Sequence, residues 1–323
     1  MTLPKIVLDA IELADTDTLV RSIDGLCASR EWDELLVMRL HCQAAVERGK
    51  QLWAVDEHIR YRIALEGPSD LAARMVDEGP ARWTLGPLTE VVAQRHEWRE
   101  LEPHLTSGPA RAFVAHERSI RGDSIDPLAI DPMILEIPVT IQSWEPTYPV
   151  AEYKSDRAEF PSPSPLPLHR VTISRGQRIE DQEAIDALSG LVKPWYEQSS
   201  GRVDVAIVDG GFDAALGALG VPRASASEMP ATDALAWLGW AAASGAAHGR
   251  RRGAAAGRFE VWWALSVVSE LDFPPDPDVF GEVLDEYQWH WWSDGDDEGW
   301  RLNVAITDPE FGRTWAITAI DSE

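Results

Sequence analysis

The sequence predicts an α+β protein, with an all-helical N-terminal bundle or short irregular solenoid and a C-terminal antiparallel sheet packed with helices. Three observations predict this class. Up to about residue 122, apolar residues recur at three- and four-residue steps between Gly-Pro breaks, which is typical of short amphipathic helices. Nine prolines follow between Asp126 and Arg170. From Tyr287 the apolar period changes to two, which is typical of strands.

These changes divide the chain into three parts: a helical domain (1–125), a Pro-rich connector (126–170) and an acidic α+β domain (171–323). A length of 323 residues suits two domains, and a hydrophobic content of 45% excludes wholesale disorder. No long apolar run and no secretion signal are visible, and the two cysteines form no CxxC pair. We therefore expect a cytoplasmic protein without a membrane span.

The N-terminal helices are predicted from apolar periodicity, with Gly and Pro marking their ends. Thr16 or Asp17 can cap the first of them, and Gly67-Pro68 ends the third by removing a donor. The predicted ranges are 16–28, 32–44, 51–66, 69–78, 88–94, 96–105 and 109–121. Such short helices must stack on one another to hide their apolar faces.

The connector contains too many prolines for a regular helix. Ile134 to Gln142 could contribute an edge strand, because Leu135, Ile137, Val139 and Ile141 form an apolar row. Residues 161–168 are typical of extended polyproline II.

The C-terminal part mixes helices and strands. Predicted helices span 180–198, shortened by Pro194, then 212–219, 232–247, 254–271 and a short helix capped by Asp276 or Asp278 and ending at Glu286. Predicted strands span 203–208, 287–292, 300–307 and 313–320. We expect the helices on one face of an antiparallel sheet. The Ala- and Gly-rich surfaces of helices 232–247 and 254–271 predict close antiparallel packing.

The net charge of −25 argues against binding to nucleic acid or anionic lipid. Residues 259–323 hold 16 acids against two arginines, and a basic cluster precedes them: His248, Arg250, Arg251, Arg252 and Arg258. The cluster has three interpretations. It could neutralise carboxylates of the same domain such as Asp294, Asp296, Asp297 and Glu298, bind a phosphate or carboxylate together with glycine-flanked amides, or dock a partner.

Trp262, Trp289 and Trp291 are aromatic candidates that could stack on a nucleobase or sugar, although core packing is the favoured interpretation. The segment 203–213 has a strand, a glycine turn and a helix start but lacks GxGxxG and GxxxxGK[ST], which favours a simple Asp-Gly turn. No metal-ligand spacing, GxSxG elbow or Cys/His nucleophile pattern is found. We therefore expect no cofactor or metal, and the sequence leans against an enzyme.

Four segments, 48–62, 84–90, 144–149 and 242–258, resemble those of a family of uncharacterised acidic proteins from high-GC actinobacteria. The resemblance implies a bacterial cytosolic setting and brings no known activity.

The leading hypothesis is a noncatalytic interaction or regulatory protein whose acidic domain docks a basic protein surface. The alternative is a phosphate- or nucleotide-binding protein or enzyme that uses Arg250 to Arg252 and Arg258, with Trp262 or Trp289 stacking. A third hypothesis, acidic mimicry of nucleic acid, requires carboxylates spaced along one exposed surface. The sequence indicates no oligomeric state.

Overall fold

The computed structural model describes residues 3–295 and 298–322. Residues 1–131 and 152–159 form one compact unit, and residues 132–151 and 160–323 form a second, so the Pro-rich residues 126–170 are shared between the two. The predicted α+β class is confirmed, because helices dominate the N-terminal half and an antiparallel sheet lies in the C-terminal part. Within the described residues, no helix combines the length and apolar character needed to cross a bilayer.

The first unit is helical, with a small strand pair. Asp15 caps its second helix by accepting the Thr18 backbone N–H at 3.1 Å, one residue before the predicted cap. The first helix was not predicted. The helices are α1 (Lys5–Leu13), α2 (Thr16–Ser29), α3 (Trp32–Glu47), α4 (Trp53–Glu66), α5 (Ser69–Asp77), α6 (Leu88–Arg95), α7 (Trp98–Leu101) and α8 (Pro109–Ile120), with 3₁₀ turns at Glu102–His104 and Pro127–Ala129; the antiparallel strands are β1 (Glu152–Tyr153) and β2 (Ala158–Glu159).

The second unit is built on a six-stranded, fully antiparallel sheet in the order β3-β5-β6-β7-β8-β4. Its strands are β3 (His169–Val171), β4 (Arg202–Asp209), β5 (Ala224–Met229), β6 (Gln288–Ser293), β7 (Trp300–Asp308) and β8 (Arg313–Asp321). Its helices are α9 (Gln182–Leu191), α10 (Lys193–Glu197), α11 (Phe212–Ala218), α12 (Ala231–Ala243), α13 (Ala254–Val268) and α14 (Pro277–Glu286). Strands β3 and β5 were not predicted.

Helices cover both faces of this sheet, so the expectation of helices on one face is wrong. Adjacent residues of a strand point to opposite faces. His290 stacks on Phe212 of α11 at a ring-centroid distance of 4.4 Å, whereas Trp291 stacks on Trp237 of α12 at 4.1 Å. Residues 302–308 of β7 are all buried, as expected for a strand that is covered on both sides.

The predicted edge strand at 134–142 is not formed. Pro132 and Pro138 bracket a turn in which the Glu136 N–H donates to Pro132 O, and Glu136 has a positive φ of 58°. The backbone carbonyls of this segment are instead available to side chains of the second unit.

The predicted close approach of two helices is present between α12 and α13. A Cβ added at Gly257 of α13 would lie 2.7 Å from the carbonyl oxygen of Gly239 in α12. Small residues at this contact therefore set the spacing of the two helices.

Candidate functional site

Arg258, one of the predicted anion-binding residues, lies in the core with no exposed surface. Its Nε donates to Glu145 Oε2 and its Nη2 to Glu145 Oε1, both at 2.6 Å. Its Nη1 donates to Pro138 O at 2.6 Å, and its Nη2 also reaches Thr140 O at 3.3 Å. The segment that was predicted as an edge strand thus supplies carbonyls that satisfy this guanidinium.

Arg252 is also engaged within the second unit. Its Nη1 donates to Glu260 Oε1 at 2.8 Å, while Nε and Nη2 donate to backbone carbonyls of Ala242 (2.8 Å) and Leu191 (2.7 Å). The side chain therefore joins the loop before α13 to α9 and α12.

The other members of the basic cluster have different surroundings from Arg252 and Arg258. The Arg251 guanidinium lies 4.8 Å from the ring centroid of Phe160, and Arg250 and His248 are exposed. None of the five predicted basic residues lines the three pockets described by this structure.

Of the carboxylates that the sequence suggested as partners of the cluster, two contact Arg301 and two are outside the described residues. Asp294 pairs with Arg301 at 3.6 Å, and Asp296 and Asp297 are outside the described range. Glu298 offers its backbone carbonyl to Arg301 Nε at 3.1 Å. Arg252 and Arg258 thus meet carboxylates within their own unit, but these are Glu260 and Glu145.

The three tryptophan candidates have packing roles. Trp262 and Trp289 are each 1% exposed. The indole Nε1 of Trp289 donates to Leu284 O at 3.0 Å, and that of Trp262 reaches Glu145 Oε2 at 3.3 Å. Trp291 is half-buried against Trp237.

Glu145 is the centre of a fully buried polar cluster, which we call the Glu145 cluster: Glu145, Tyr148, Arg258 and Trp262. Tyr148 donates its hydroxyl to Glu145 Oε2 at 2.8 Å, and the Gln142 backbone N–H donates to Oε1 at 3.0 Å. Burial by itself raises the pKa of Glu145, but the hydrogen bonds and charge of Arg258 outweigh it and lower the pKa below its usual value. Burial raises the pKa of Tyr148 well above its usual value, so the phenol remains a donor.

The Glu145 cluster fixes the neighbouring residue, Trp144, beneath helix α14. The ring centroid of Trp144 lies 5.3 Å from that of Trp262 and 5.5 Å from that of Phe280. Its Nε1 donates to Pro277 O at 2.9 Å. A Cβ on Gly281 would fall 2.3 Å from the Trp144 ring, so only glycine at this position lets α14 lie directly on the indole.

An open pocket of about 550 Å³ runs beside this contact, and we call it the acidic groove. Trp144, Leu235 and Leu284 supply its apolar surface, and Ser143 and Thr232 supply hydroxyls. Asp278, Glu282 and Asp285 of α14 line it with carboxylates. Their spacing of four and three residues places all three on one helix face.

These carboxylates are exposed and uncompensated. Within residues 3–295 and 298–322, no Lys, Arg or His forms an ion pair with Asp278, Glu282 or Asp285. The helix has no basic residue in its last turn, where Asp285 and Glu286 lie.

The charge pattern of α14 conflicts with helix stability. Asp276 caps the N-terminus by accepting the Asp278 and Val279 backbone N–H groups, and acids are favourable there because of the helix dipole. Asp285 and Glu286 stand at the opposite, negative end, and Glu282 has like-charged neighbours at Asp278, Asp285 and Glu286. A local conflict of this kind is characteristic of functional surfaces.

Sequence reasoning missed Trp144, Glu145 and this acidic face. The acidic face could have been predicted, because the cap at Asp276 and the following carboxylates at helical spacing are visible in the sequence. Glu145 was not, because it lies 113 residues from Arg258 in a segment that was interpreted as connector.

Metal and thiol chemistry find little support among the described residues. No group of three or more His, Cys, Asp or Glu side chains there could hold a metal ion. Burial raises the pKa of Cys27 to about 11 and that of Cys42 to about 12, so both thiols stay protonated at neutral pH.

Comparison with known proteins returned no match among curated proteins and none among solved structures. One protein family covers residues 17–323, which is nearly the whole chain and includes every residue of the acidic groove. The chain therefore belongs to DUF6183, a family of unknown function.

Proposed function

We propose that this chain is a noncatalytic docking protein of the bacterial cytoplasm whose acidic groove binds a basic segment of a partner protein. The observation that carries the proposal is the row of uncompensated carboxylates, Asp278, Glu282 and Asp285, along an open groove. A cationic segment would pair with these carboxylates and relieve their mutual repulsion.

The groove also favours a segment with an apolar side chain beside its basic ones. Trp144, Leu235 and Leu284 offer apolar contact between the carboxylates and the start of α12. A central aromatic anchor with a charged rim is typical of protein interfaces. The rigidity of Trp144, which is held by Phe280, Trp262 and Pro277, reduces the entropic cost of binding.

The wider charge distribution supports a basic partner. Residues 259–323 contain 16 acidic residues and only two basic ones, Arg301 and Arg313. Such a field accelerates encounter with a cationic surface and repels anions.

The alternative, an anion site at the basic cluster, is disfavoured by the contacts of two of its members. Arg258 is fully buried on Glu145, and Arg252 donates to Glu260 and to backbone carbonyls. A phosphate at either guanidinium would have to displace a carboxylate from a satisfied network.

The experiment is fluorescence anisotropy with labelled synthetic peptides that combine arginine or lysine with one tryptophan or leucine. The same peptides with the basic residues replaced by glutamine serve as comparison. We expect binding that weakens with salt, and we expect the double variant Glu282→Gln/Asp285→Asn to reduce affinity about tenfold, equivalent to roughly 1.4 kcal/mol. The matched control, Glu180→Gln/Glu310→Gln, makes the same change in net charge at exposed carboxylates outside the groove.

The same double variant tests whether a loss of binding reflects damage to the fold. Removing these charges relieves like-charge pairs that cost roughly 0.2–0.5 kcal/mol each in isolated helices. We therefore expect a melting temperature equal to or above that of the unsubstituted protein. Equal peptide binding by the groove and control variants, or no salt-sensitive binding of any basic peptide, would refute the proposal.

A further inference from the structure

We propose that a second pocket of the C-terminal unit binds a small neutral polyhydroxylated molecule, of the chemical class of a mono- or disaccharide. The pocket has a volume of about 380 Å³ and shares no lining residue with the acidic groove. The inference is therefore independent of the docking function.

The fold places this pocket at one end of the sheet. Asp209 ends β4, Asp308 ends β7 and Arg313 begins β8, and the register pairs Arg313 with both aspartates. The C-terminal end of α13 and Tyr287, which precedes β6, complete the wall.

Aromatic rings form one side of the pocket. The ring centroids of Tyr287 and Trp315 lie 6.3 Å apart. Phe311, at the tip of the β7–β8 hairpin, also lines the pocket and is 78% exposed. The C–H faces of a sugar ring pack on aromatic surfaces of this kind, because both are apolar.

Trp315 gives the independent sign that a ligand belongs here. The residue is only 5% exposed, yet its Nε1 has no hydrogen-bond partner within the described residues. Buried indole N–H groups usually have a partner. Because Trp315 lines this pocket, a ligand bound there could supply the missing acceptor.

Tyr287 and Ser269, whose side chains interact with each other, bring hydroxyl groups to the same pocket. Burial raises the pKa of Tyr287, so its hydroxyl is protonated throughout the neutral range. The pocket therefore offers neutral donors on its aromatic side.

Carboxylates supply the acceptors. Glu270 forms no ion pair among the residues that the structure describes. Asp308 Oδ1 accepts the Glu310 and Phe311 backbone N–H groups, which leaves Oδ2 available. Asp209 contacts Arg313 through one oxygen at 3.2 Å. With three carboxylates against one guanidinium, the pocket repels phosphates and other anions.

The mixture of donors and acceptors selects the ligand. An ammonium group satisfies Glu270 and Asp308 but offers nothing to the Trp315 N–H, because it has no lone pair. An anion satisfies the donors and is repelled by the carboxylates. A hydroxyl group both donates and accepts, so several hydroxyls on one apolar ring meet every unsatisfied group.

Glu270 occupies a backbone position that glycine would fill without strain. It follows the last turn of α13 with φ of 54°, and the Glu270 and Leu271 N–H groups close the helix by bonding Val267 O and Ser266 O. Such left-handed positions after a helix are usually glycine. The Glu270→Gly variant therefore removes the carboxylate while easing the backbone.

The test is saturation-transfer difference NMR on the full chain with D-glucose, D-galactose, D-mannose and maltose, and with glucose 6-phosphate and spermidine as charged comparators. We expect transfer to at least one neutral sugar that exceeds transfer to both comparators. Trp315→Phe and Glu270→Gly should each weaken affinity about fivefold, the equivalent of one hydrogen bond of roughly 1 kcal/mol. Ala14→Gly, which makes the same backbone change at φ of 54° after α1, should leave sugar binding unchanged.

Circular dichroism confirms that each variant is folded before NMR. Because Glu270→Gly favours the native backbone, a loss of binding in that variant cannot be assigned to unfolding. The proposal is overturned if no neutral sugar shows transfer, if spermidine or glucose 6-phosphate shows more, or if both pocket variants bind as the unsubstituted protein does.

Discussion

Replacing Glu145 by Gln should destabilise the C-terminal unit strongly although it changes only one charge. In the native structure both carboxylate oxygens accept from Arg258 at 2.6 Å, and Tyr148, Trp262 and the Gln142 N–H complete the shell. The variant leaves Arg258, which has no exposed surface, as an uncompensated cation and turns an amide NH₂ toward other donors.

Breaking a buried pair by removing one partner costs about 3–5 kcal/mol, a large share of the 5–15 kcal/mol that typically separates folded from unfolded domains. Arg258→Met should lower the free energy of unfolding by a similar amount, because it leaves the buried Glu145 carboxylate without its ion-pair partner. The double variant should cost less than the sum of the two, with a coupling of roughly 0.5–3 kcal/mol.

The pH dependence follows from the lowered pKa of Glu145. A carboxyl whose folded pKa lies below its unfolded value of about 4.3 stabilises the fold above that value and loses this contribution as the pH falls through the folded pKa. The stability gap between the unsubstituted protein and Glu145→Gln should therefore be constant from neutral pH to about 4.3 and should narrow below it.

Urea unfolding followed by tryptophan fluorescence and circular dichroism measures these differences, because Trp144 and Trp262 adjoin the Glu145 cluster. A cost below about 1 kcal/mol for Glu145→Gln, or a gap that persists unchanged into strong acid, would show that the ion pair does not hold the unit together.

Three further predictions concern other parts of the chain. Gly257→Ala should lower the melting temperature, because its Cβ would lie 2.7 Å from backbone atoms of Gly239 and Ala243. Gly190→Ala in α9 has no atom within 4 Å of the new Cβ and should raise the melting temperature, because alanine has the higher helix propensity. Equal shifts would contradict the close packing of α12 on α13. Burial lowers the pKa of His290, so the stability of the native protein is highest above about pH 6.5 and falls as the histidine is protonated at lower pH. His290→Phe retains stacking on Phe212 and removes the unpartnered buried Nδ1, so the melting temperature of this variant should depend less on pH below about 6.5. An unchanged pH profile would count against this explanation. Cys27 and Cys42, whose pKa values burial raises to about 11 and 12, should resist thiol reagents in the native state and react after unfolding; rapid native labelling would contradict their burial.

Most of the elements could be predicted because their signals are local. Helix α14 begins after Asp276, one of its two predicted caps. The predicted helix 180–198, which Pro194 was expected to shorten, is divided near that proline into α9 and α10. Strands β7 and β8 span the predicted hairpin. Strand β5 was missed because Ala224 to Met229 contains small and polar residues with low strand propensity. Its extended conformation is stabilised instead by hydrogen bonding to β3 and β6 on either side.

The contacts of the candidate site were harder to predict from the sequence. The sequence indicated that the dense arginines meet internal carboxylates, bind an external anion or dock a partner, and for the first of these it suggested the acids that follow them in the chain. In the structure Arg252 meets Glu260, which does follow it in the chain, whereas Arg258 meets Glu145, which precedes it. Arginine types and spacing do not reveal a partner that lies over a hundred residues away, because that pairing depends on how the loop 132–151 packs against α13.

The sequence by itself determined the α+β class, the helical and strand periods, the acidic character of residues 259–323 and the lack of recognisable catalytic motifs, because composition, periodicity and capping are properties of neighbouring residues. Only the tertiary structure decided that helices cover both sheet faces, that Arg258 is buried on Glu145, and that Trp144 and Gly281 set the groove beside the carboxylates of α14. These features depend on close contacts between distant segments, whose energies are settled by packing and desolvation rather than by local preference.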